Sequence, residues 1–486
     1  MNAEQQQEER TLRRALGPYM ALAVVVGNVI GAGIFLKPGN IAAECGSFPV
    51  IISVWILGGV LCFLGALCFA ELATMLPHAG GLYVYLKLAY GKLIGFLFGW
   101  TDLMFVRPAS TGALAVAFVG SFWLSMGWTA SAGMQAILAG AVILGMAWVN
   151  IVGVIWGGRV QLLVTAVKVI FLALVALSPF VFAPFVGMTW DISNFGSTTQ
   201  ANQIGIANQI GVALLSVMWA YNGWHGITPL SEEVANPRRN IPLALFGGIG
   251  ILMALYLAAN FAYHGVLSME ELKAAGDHGA EQMLYKLAGK NGQLAMSFVI
   301  MCSTFGAINT NLLQAPRIPF AMGRDGVFFR SLGTVHANYQ TPVVAILTTS
   351  VMGILLIAAV AVGKHLVLGI DLTQIESKLA SQFVVSLKDD SIFELLTNFV
   401  IFAASVFYML GVLALIVLRF RFPQMKREYR TWGYPITPIV FLSVYTWFLT
   451  QVYFGSPLES RTGILMIMIG IPVYFAYKKL SNGKRV

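Results

Sequence analysis

Glycine, asparagine and tryptophan gather at two places where an apolar run would otherwise read as unbroken helix. The first is Val26-Gly27-Asn28-Val29-Ile30-Gly31-Ala32-Gly33-Ile34-Phe35, and the second is Trp219-Ala220-Tyr221-Asn222-Gly223-Trp224. Each glycine costs a helix roughly 1 kcal/mol against alanine, so Gly27, Gly31 and Gly33 together weaken the hydrogen-bond ladder. In hydrocarbon, irregular backbone is tolerated only where it lines a cavity, and matched interruptions in the two halves of a membrane chain point to a transporter's binding site. The peptide groups are then the chemistry. Free N–H groups around Gly31, Ala32 and Gly33, opening a helical segment, favour an anion such as a carboxylate. Orphan carbonyls near Val29 and Ile30, with those near Trp219 and Asn222, favour a cation such as an ammonium. Both charges together describe an α-amino acid, bound without an ionised side chain, and neither interruption contains Asp or Glu. The competing reading is a packing motif of small residues such as Gly27 to Gly31, which one interruption alone would suggest more strongly than two in register do.

Such interruptions need membrane helices to carry them. The chain is 58% hydrophobic and 10% charged, with mean hydropathy +0.77, against about 25% charged in ordinary soluble domains. Apolar runs long enough to cross a hydrocarbon core of roughly 30 Å number twelve. They cover about 17–41, 48–76, 93–122, 134–154, 160–186, 205–230, 241–266, 293–323, 342–362, 392–421, 435–455 and 461–479. The first five and the next five overlay with the interruptions in register, and five is odd, so the halves enter the membrane in opposite senses around one central site. The expected fold is an all-α integral membrane protein of 12 transmembrane helices, a 5+5 inverted repeat with helices 1 and 6 broken. Its parts are a tail at 1–16, a core at 17–421, helices 11 and 12 at 422–479 and a tail at 480–486.

Twenty of the thirty basic residues fall on the side of the two tails and eight on the other, so both termini are expected in the cytoplasm of a multi-pass cell-membrane protein. Topology, with the lipid bilayer as partner, accounts for the net charge of +9 without nucleic-acid binding. The polar N-tail lacks the apolar stretch of a cleavable signal. Insertions at 267–291 and 363–391 fall outside and have room for short surface helices. Cys45, Cys62, Cys68 and Cys302 lack metal-ligand spacing and read as small hydrophobes.

Polar residues within the spans are few and each has two readings. Arg107 and Lys168 are the remaining basic residues; a lysine mid-span costs about 2.5–3.5 kcal/mol and must face protein or water. Asp102 and Arg107, like Glu71 near the end of its span, read as bundle-stabilising ion pairs rather than proton relays. His225 is either a satisfied core residue or part of the pocket wall. Trp219 is either packing or, standing just before an interruption, a gate over the site. No zinc-protease, phosphate-loop or nucleophile-elbow pattern occurs, so neither an enzyme nor a cofactor or metal is expected. A channel would want a continuous pore with selectivity rings; an amino acid sensor without flux fits the same scaffold.

The first interruption resembles the helix-one signature of the amino acid, polyamine and organocation superfamily, more narrowly the L-type amino acid transporter family. Collinear stretches extend the likeness: Ala70-Glu71-Leu72-Ala73 running to Gly80-Gly81-Leu82-Tyr83, Arg107-Pro108-Ala109-Ser110, Gly158-Arg159-Val160-Gln161 with Lys168 beyond, Ser231-Glu232-Glu233, Ser303-Thr304-Phe305-Gly306 and Tyr429 to Pro435. The resemblance implies a leucine-transporter-type fold with the substrate between the unwound parts of helices one and six. It places carboxylate contacts on Gly31, Ala32 and Gly33, ammonium contacts on the carbonyls of Val29, Trp219 and Asn222 with Ile30 and Ala220 beside them, and the aromatic gate on Trp219. It places Lys168 where sodium-coupled relatives hold an ion, with its ammonium between carbonyls of Gly27 to Ile30 and the hydroxyls of Ser303 or Thr304. Ser110, His225, Tyr263 and Ala404 are its further pocket candidates. This chain departs from the family's usual residues at Ala32, Asn222 and His225, which leaves side-chain preference open. The implied activity is sodium-independent exchange of neutral amino acids, with proton-coupled symport as the alternative. L-type carriers attach a heavy subunit through a cysteine after span three; residues 121–134 contain none, so no disulfide-linked partner is expected.

Overall fold

The computed structural model describes residues 12, 14–128, 131–182, 191–200, 205–367 and 377–483. Most of the N-terminal tail, 484–486 of the C-terminal tail and 368–376 of the second insertion therefore lie outside the described residues. Nineteen α-helices follow in order among the described residues. The first interrupted run gives α1 (Pro18–Val29), α2 (Gly33–Leu36) and α3 (Pro38–Cys45). Then come α4 (Phe48–Met75), α5 (Leu82–Tyr90), α6 (Lys92–Thr101), α7 (Arg107–Met126), α8 (Ala132–Val152) and α9 (Val154–Phe182). The second interrupted run opens with α10 (Ile206–Ala220), and α11 (Pro237–Val266), α12 (Met269–Ala275), α13 (Gly279–Gln314) and α14 (Arg317–Arg324) succeed it. The chain ends with α15 (Val343–Val367), α16 (Lys378–Asp389), α17 (Ile392–Arg421), α18 (Ile436–Gly455) and α19 (Pro457–Gly483).

Eleven helical stretches among the described residues are long and apolar enough to cross a bilayer. The run expected at 205–230 is the difference: α10 is a 15-residue apolar helix that stops at the interruption, and a 3-10 turn over Thr228–Glu233 replaces its continuation. Length alone leaves it short of a span because the sequence there spends its residues on unwound backbone. The interrupted helices occupy the middle of the bundle. α1 packs against α9, α11 and α13, and α10 packs against α4, α17 and α18. Where solvent or lipid would touch the outside, apolar side chains remain exposed, among them Trp148, Leu163, Leu355 and Phe454.

Polar pairs close both ends of this bundle. At one end the Glu233 carboxylate accepts from Arg317 Nε and Nη2 at 2.8 and 3.1 Å, with both side chains 1% exposed. The amides of Ala15 and Leu16 donate to the Glu233 carbonyl, fastening the start of the chain there. At the other end the first insertion folds into α12 and a turn over Gly276–His278. Asn40 donates to Glu394 at 3.0 Å and to Asp277 at 3.4 Å, and Ser391 donates to Asp277 at 3.3 Å. The expected pairs are present: Arg107 Nε donates to Asp102 at 3.1 Å, and Glu71 accepts from Arg419 with Arg427 Nε 3.2 Å away.

Candidate functional site

The α1 ladder runs out at Val29. The Gly31 amide turns back to the Val29 carbonyl at 2.7 Å, and the amides of Ala32 and Gly33 make no backbone hydrogen bond among the described residues. In the second interruption the Asn222 amide turns back to the Trp219 carbonyl at 3.0 Å, and Gly223 takes φ +95°, a left-handed conformation that a side chain would strain. The two meet directly. Asn28 Nδ2 donates to the Gly223 carbonyl at 3.0 Å, and a Cβ on Gly33 would lie 2.6 Å from the Ala220 Cα, so only glycine allows that approach.

Between them lies a cavity of about 30 Å³. Asn28, Val29, Gly31, Ala32 and Gly33 wall it from the first interruption, Trp219, Asn222 and Gly223 from the second, and Arg107, Ser110 and Leu114 from α7. A larger cavity of about 200 Å³, lined by Phe105, Leu356, Phe383, Leu396 and other apolar side chains, offers nothing for the charges of an amino acid. Trp219 meets Phe393 edge-on, with ring centroids 6.2 Å apart, and the buried Lys37 ammonium lies over the Phe393 ring, 5.2 Å from its centroid.

Lys168, 1% exposed, donates to the carbonyls of Gly27 and Ile30 at 2.7 Å each. Ser303 donates to the carbonyls of Ile30 and Gly31 at 3.1 Å. The ammonium expected to reach the hydroxyl of Ser303 or Thr304 as well bonds neither among the described residues, and the Thr304 hydroxyl goes to the Ile300 carbonyl of its own helix at 2.7 Å, as threonines in apolar helices commonly do. Besides the Trp219 carbonyl, which accepts from the Asn222 amide, two of the carbonyls read as orphans are engaged. That of Ile30 serves Lys168 and Ser303 on the side away from the cavity, and that of Val29 accepts from Gly31 and from Tyr256 Oη at 2.8 Å.

Among the other candidates, Ser110 lines the cavity, whereas Tyr263 reaches the Ile34 carbonyl at 3.1 Å. Ala220 packs on Gly33. His225 is buried among Phe69, Trp224 and Tyr408 outside the cavity wall, and Ala404 is a buried residue of α17 that does not line it. Arg107 and Leu114 wall the cavity without having been read as part of it, and three polar contributors beyond the wall went unread as well. Tyr256 bonds both interruptions, adding the Ala220 carbonyl at 3.1 Å; Tyr408 donates to Asn222 Oδ1 at 3.0 Å; Asn311 accepts from Arg107 Nη1 at 3.0 Å. A hydroxyl or amide on a membrane helix signals a polar neighbour, but not which one.

A family model described as "Amino acid permease" matches residues 16–477. The chain belongs to that family. The permease is 31% identical over 475 residues to the serine/threonine exchanger SteT of Bacillus subtilis (strain 168), covering 97% of this chain and 98% of the relative. It is 28% identical to the b(0,+)-type amino acid transporter 1 of Mus musculus, covering 98% and 91% of the two chains. It is 29% identical to the mouse large neutral amino acids transporter small subunit 2, covering 96% and 81%. The permease is thus a multi-pass membrane amino acid transporter of the L-type group, and not an enzyme.

Proposed function

We propose that this permease exchanges neutral amino acids across the cell membrane by alternating access, independently of sodium, with both termini in the cytoplasm. The observation that carries the reading is the cavity between two interrupted helices, walled on one side by the unspent amides of Ala32 and Gly33 and on the other by Trp219 and Asn222. The amides receive the substrate carboxylate and the carbonyls of Trp219 and Asn222 its ammonium, Gly31 and Val29 shaping the floor. Trp219 is the gate, backed by Phe393. Full-length likeness to an exchanger supports antiport over proton-coupled symport.

Helices 1 to 10 form the 5+5 inverted repeat and helices 11 and 12 flank it, the break after α10 being the sixth member. Lys168 supports sodium independence, since a fixed ammonium already neutralises the carbonyls of Gly27 and Ile30. No disulfide-linked heavy subunit is needed, for 121–134 has no cysteine. The test is counterflow in proteoliposomes. Internal unlabelled amino acid accelerates uptake of labelled amino acid equally in sodium and choline buffers; loss of uptake without sodium, binding without flux, or uptake driven only by an acid exterior overturns the reading.

A further inference from the structure

The wall that α7 lends to the cavity has no counterpart in the backbone cradle, and its donors are not all spent. Arg107 is 5% exposed and lines the cavity. Its Nε is held by Asp102 at 3.1 Å and its Nη1 by Asn311 Oδ1 at 3.0 Å. Nη2 has no hydrogen-bond partner among the described residues, yet it is not among the buried polar atoms shut away from open space. One turn further on, Ser110 accepts from Asn311 Nδ2 at 3.1 Å, which leaves the hydroxyl proton available to the cavity that Ser110 also lines. Asn311 thus orients both residues while consuming neither of these donors. A guanidinium edge and a hydroxyl proton side by side demand an acceptor, and leaving them unmatched in a closed site costs the full desolvation of the donors.

We propose that Arg107 Nη2 and the Ser110 hydroxyl form the side-chain subsite, and that it selects amino acids with a short side chain whose first atom beyond Cβ is an oxygen acceptor. This rests on the exchanger reading above and names the substrate class of the same site. Length is limited by Leu114, one turn beyond Ser110, and by Trp219, which wall the same cavity. Charge is limited too, because the guanidinium that receives an oxygen repels a side-chain ammonium.

Near-isosteric pairs isolate the oxygen: threonine against valine, and serine against 2-aminobutyrate, by counterflow in proteoliposomes. In the wild type kcat/KM favours the hydroxyl member of each pair at least twentyfold, as sites built to bond a hydroxyl reject the analogue lacking it. Arg107→Gln combined with Asp102→Asn removes the donor without stranding a buried carboxylate, and the ratio falls below threefold. Ser110→Ala lowers it about fivefold. Because each ratio is taken within one variant, it is insensitive to how much protein folds, and the wild-type and Ser110→Ala arms decide even where the double variant fails to insert. Wild-type ratios within threefold of unity, or ratios unchanged in either variant, overturn the proposal. Absence of counterflow with every amino acid defeats the exchanger reading instead.

Discussion

Replacing Lys168 by methionine sets two effects of similar size against each other, and they fall on different observables. The ammonium makes two charge-assisted hydrogen bonds of 2.7 Å to the Gly27 and Ile30 carbonyls, at about 1.5–3 kcal/mol each, or about 3–6 kcal/mol lost. Taking a lysine out of the middle of a span returns about 2.5–3.5 kcal/mol. Stability of the whole bundle therefore changes by no more than about 3.5 kcal/mol. The interruption has no such compensation. The Gly27 carbonyl has no helical partner, because the Gly31 amide that would reach it bonds Val29, and Ile30 keeps only Ser303. If about 3 kcal/mol of order is lost at the break alone, the binding-competent fraction falls about 100-fold and Kd rises by the same factor. Binding of a labelled amino acid to purified Lys168→Met protein, beside a circular-dichroism melt, separates the two. A Kd within threefold of wild type refutes the assignment, and so does a weakening that merely parallels collapse of the melt.

Three further substitutions probe the same frame. Trp219→Ala removes the edge contact with Phe393 and is expected to bind substrate while counterflow falls at least tenfold; unchanged flux ends the gate assignment. Tyr256→Phe deletes one hydroxyl serving the Val29 and Ala220 carbonyls, worth about 1–2 kcal/mol, so kcat/KM drops about tenfold with the melt nearly unmoved; equal losses in both would make the hydroxyl structural only. Glu233→Gln strands the Arg317 guanidinium in a fully buried place, costing about 3–5 kcal/mol, whereas Glu233→Leu with Arg317→Met strands nothing. The melts should rank wild type and the double variant above the single one, and a single variant as stable as wild type contradicts the burial argument.

How far these features were legible in the chain depends on the kind of interaction that makes them. Gly31, Gly33 and Gly223 mark the interruptions because glycine leaves its signature in backbone geometry, a local property. Lys168 was legible because a charge at mid-span must be answered. Which groups answer it is a matter of tertiary packing, so Ser303 and Thr304, one residue apart, could not be told apart until α13 was placed with Ser303 toward α1. The same limit hid Tyr256, Tyr408 and Asn311, whose partners lie 36 to 227 residues away. The apolar run at 205–230 overshoots the end of α10 because hydropathy does not register where such a run ceases to be helical; the interruption at Trp219 to Trp224 carried that signal instead.

The Tyr256 hydroxyl has a single proton and two carbonyls within reach, at 2.8 and 3.1 Å. Both bonds cannot be full-strength at once. Were the broken helices to draw apart, the proton would settle wholly on one oxygen, and the loss would be half of a divided bond. Such a fastening yields at small cost in either direction, which suits the alternating access proposed above, in which the same two elements part and return to the same register.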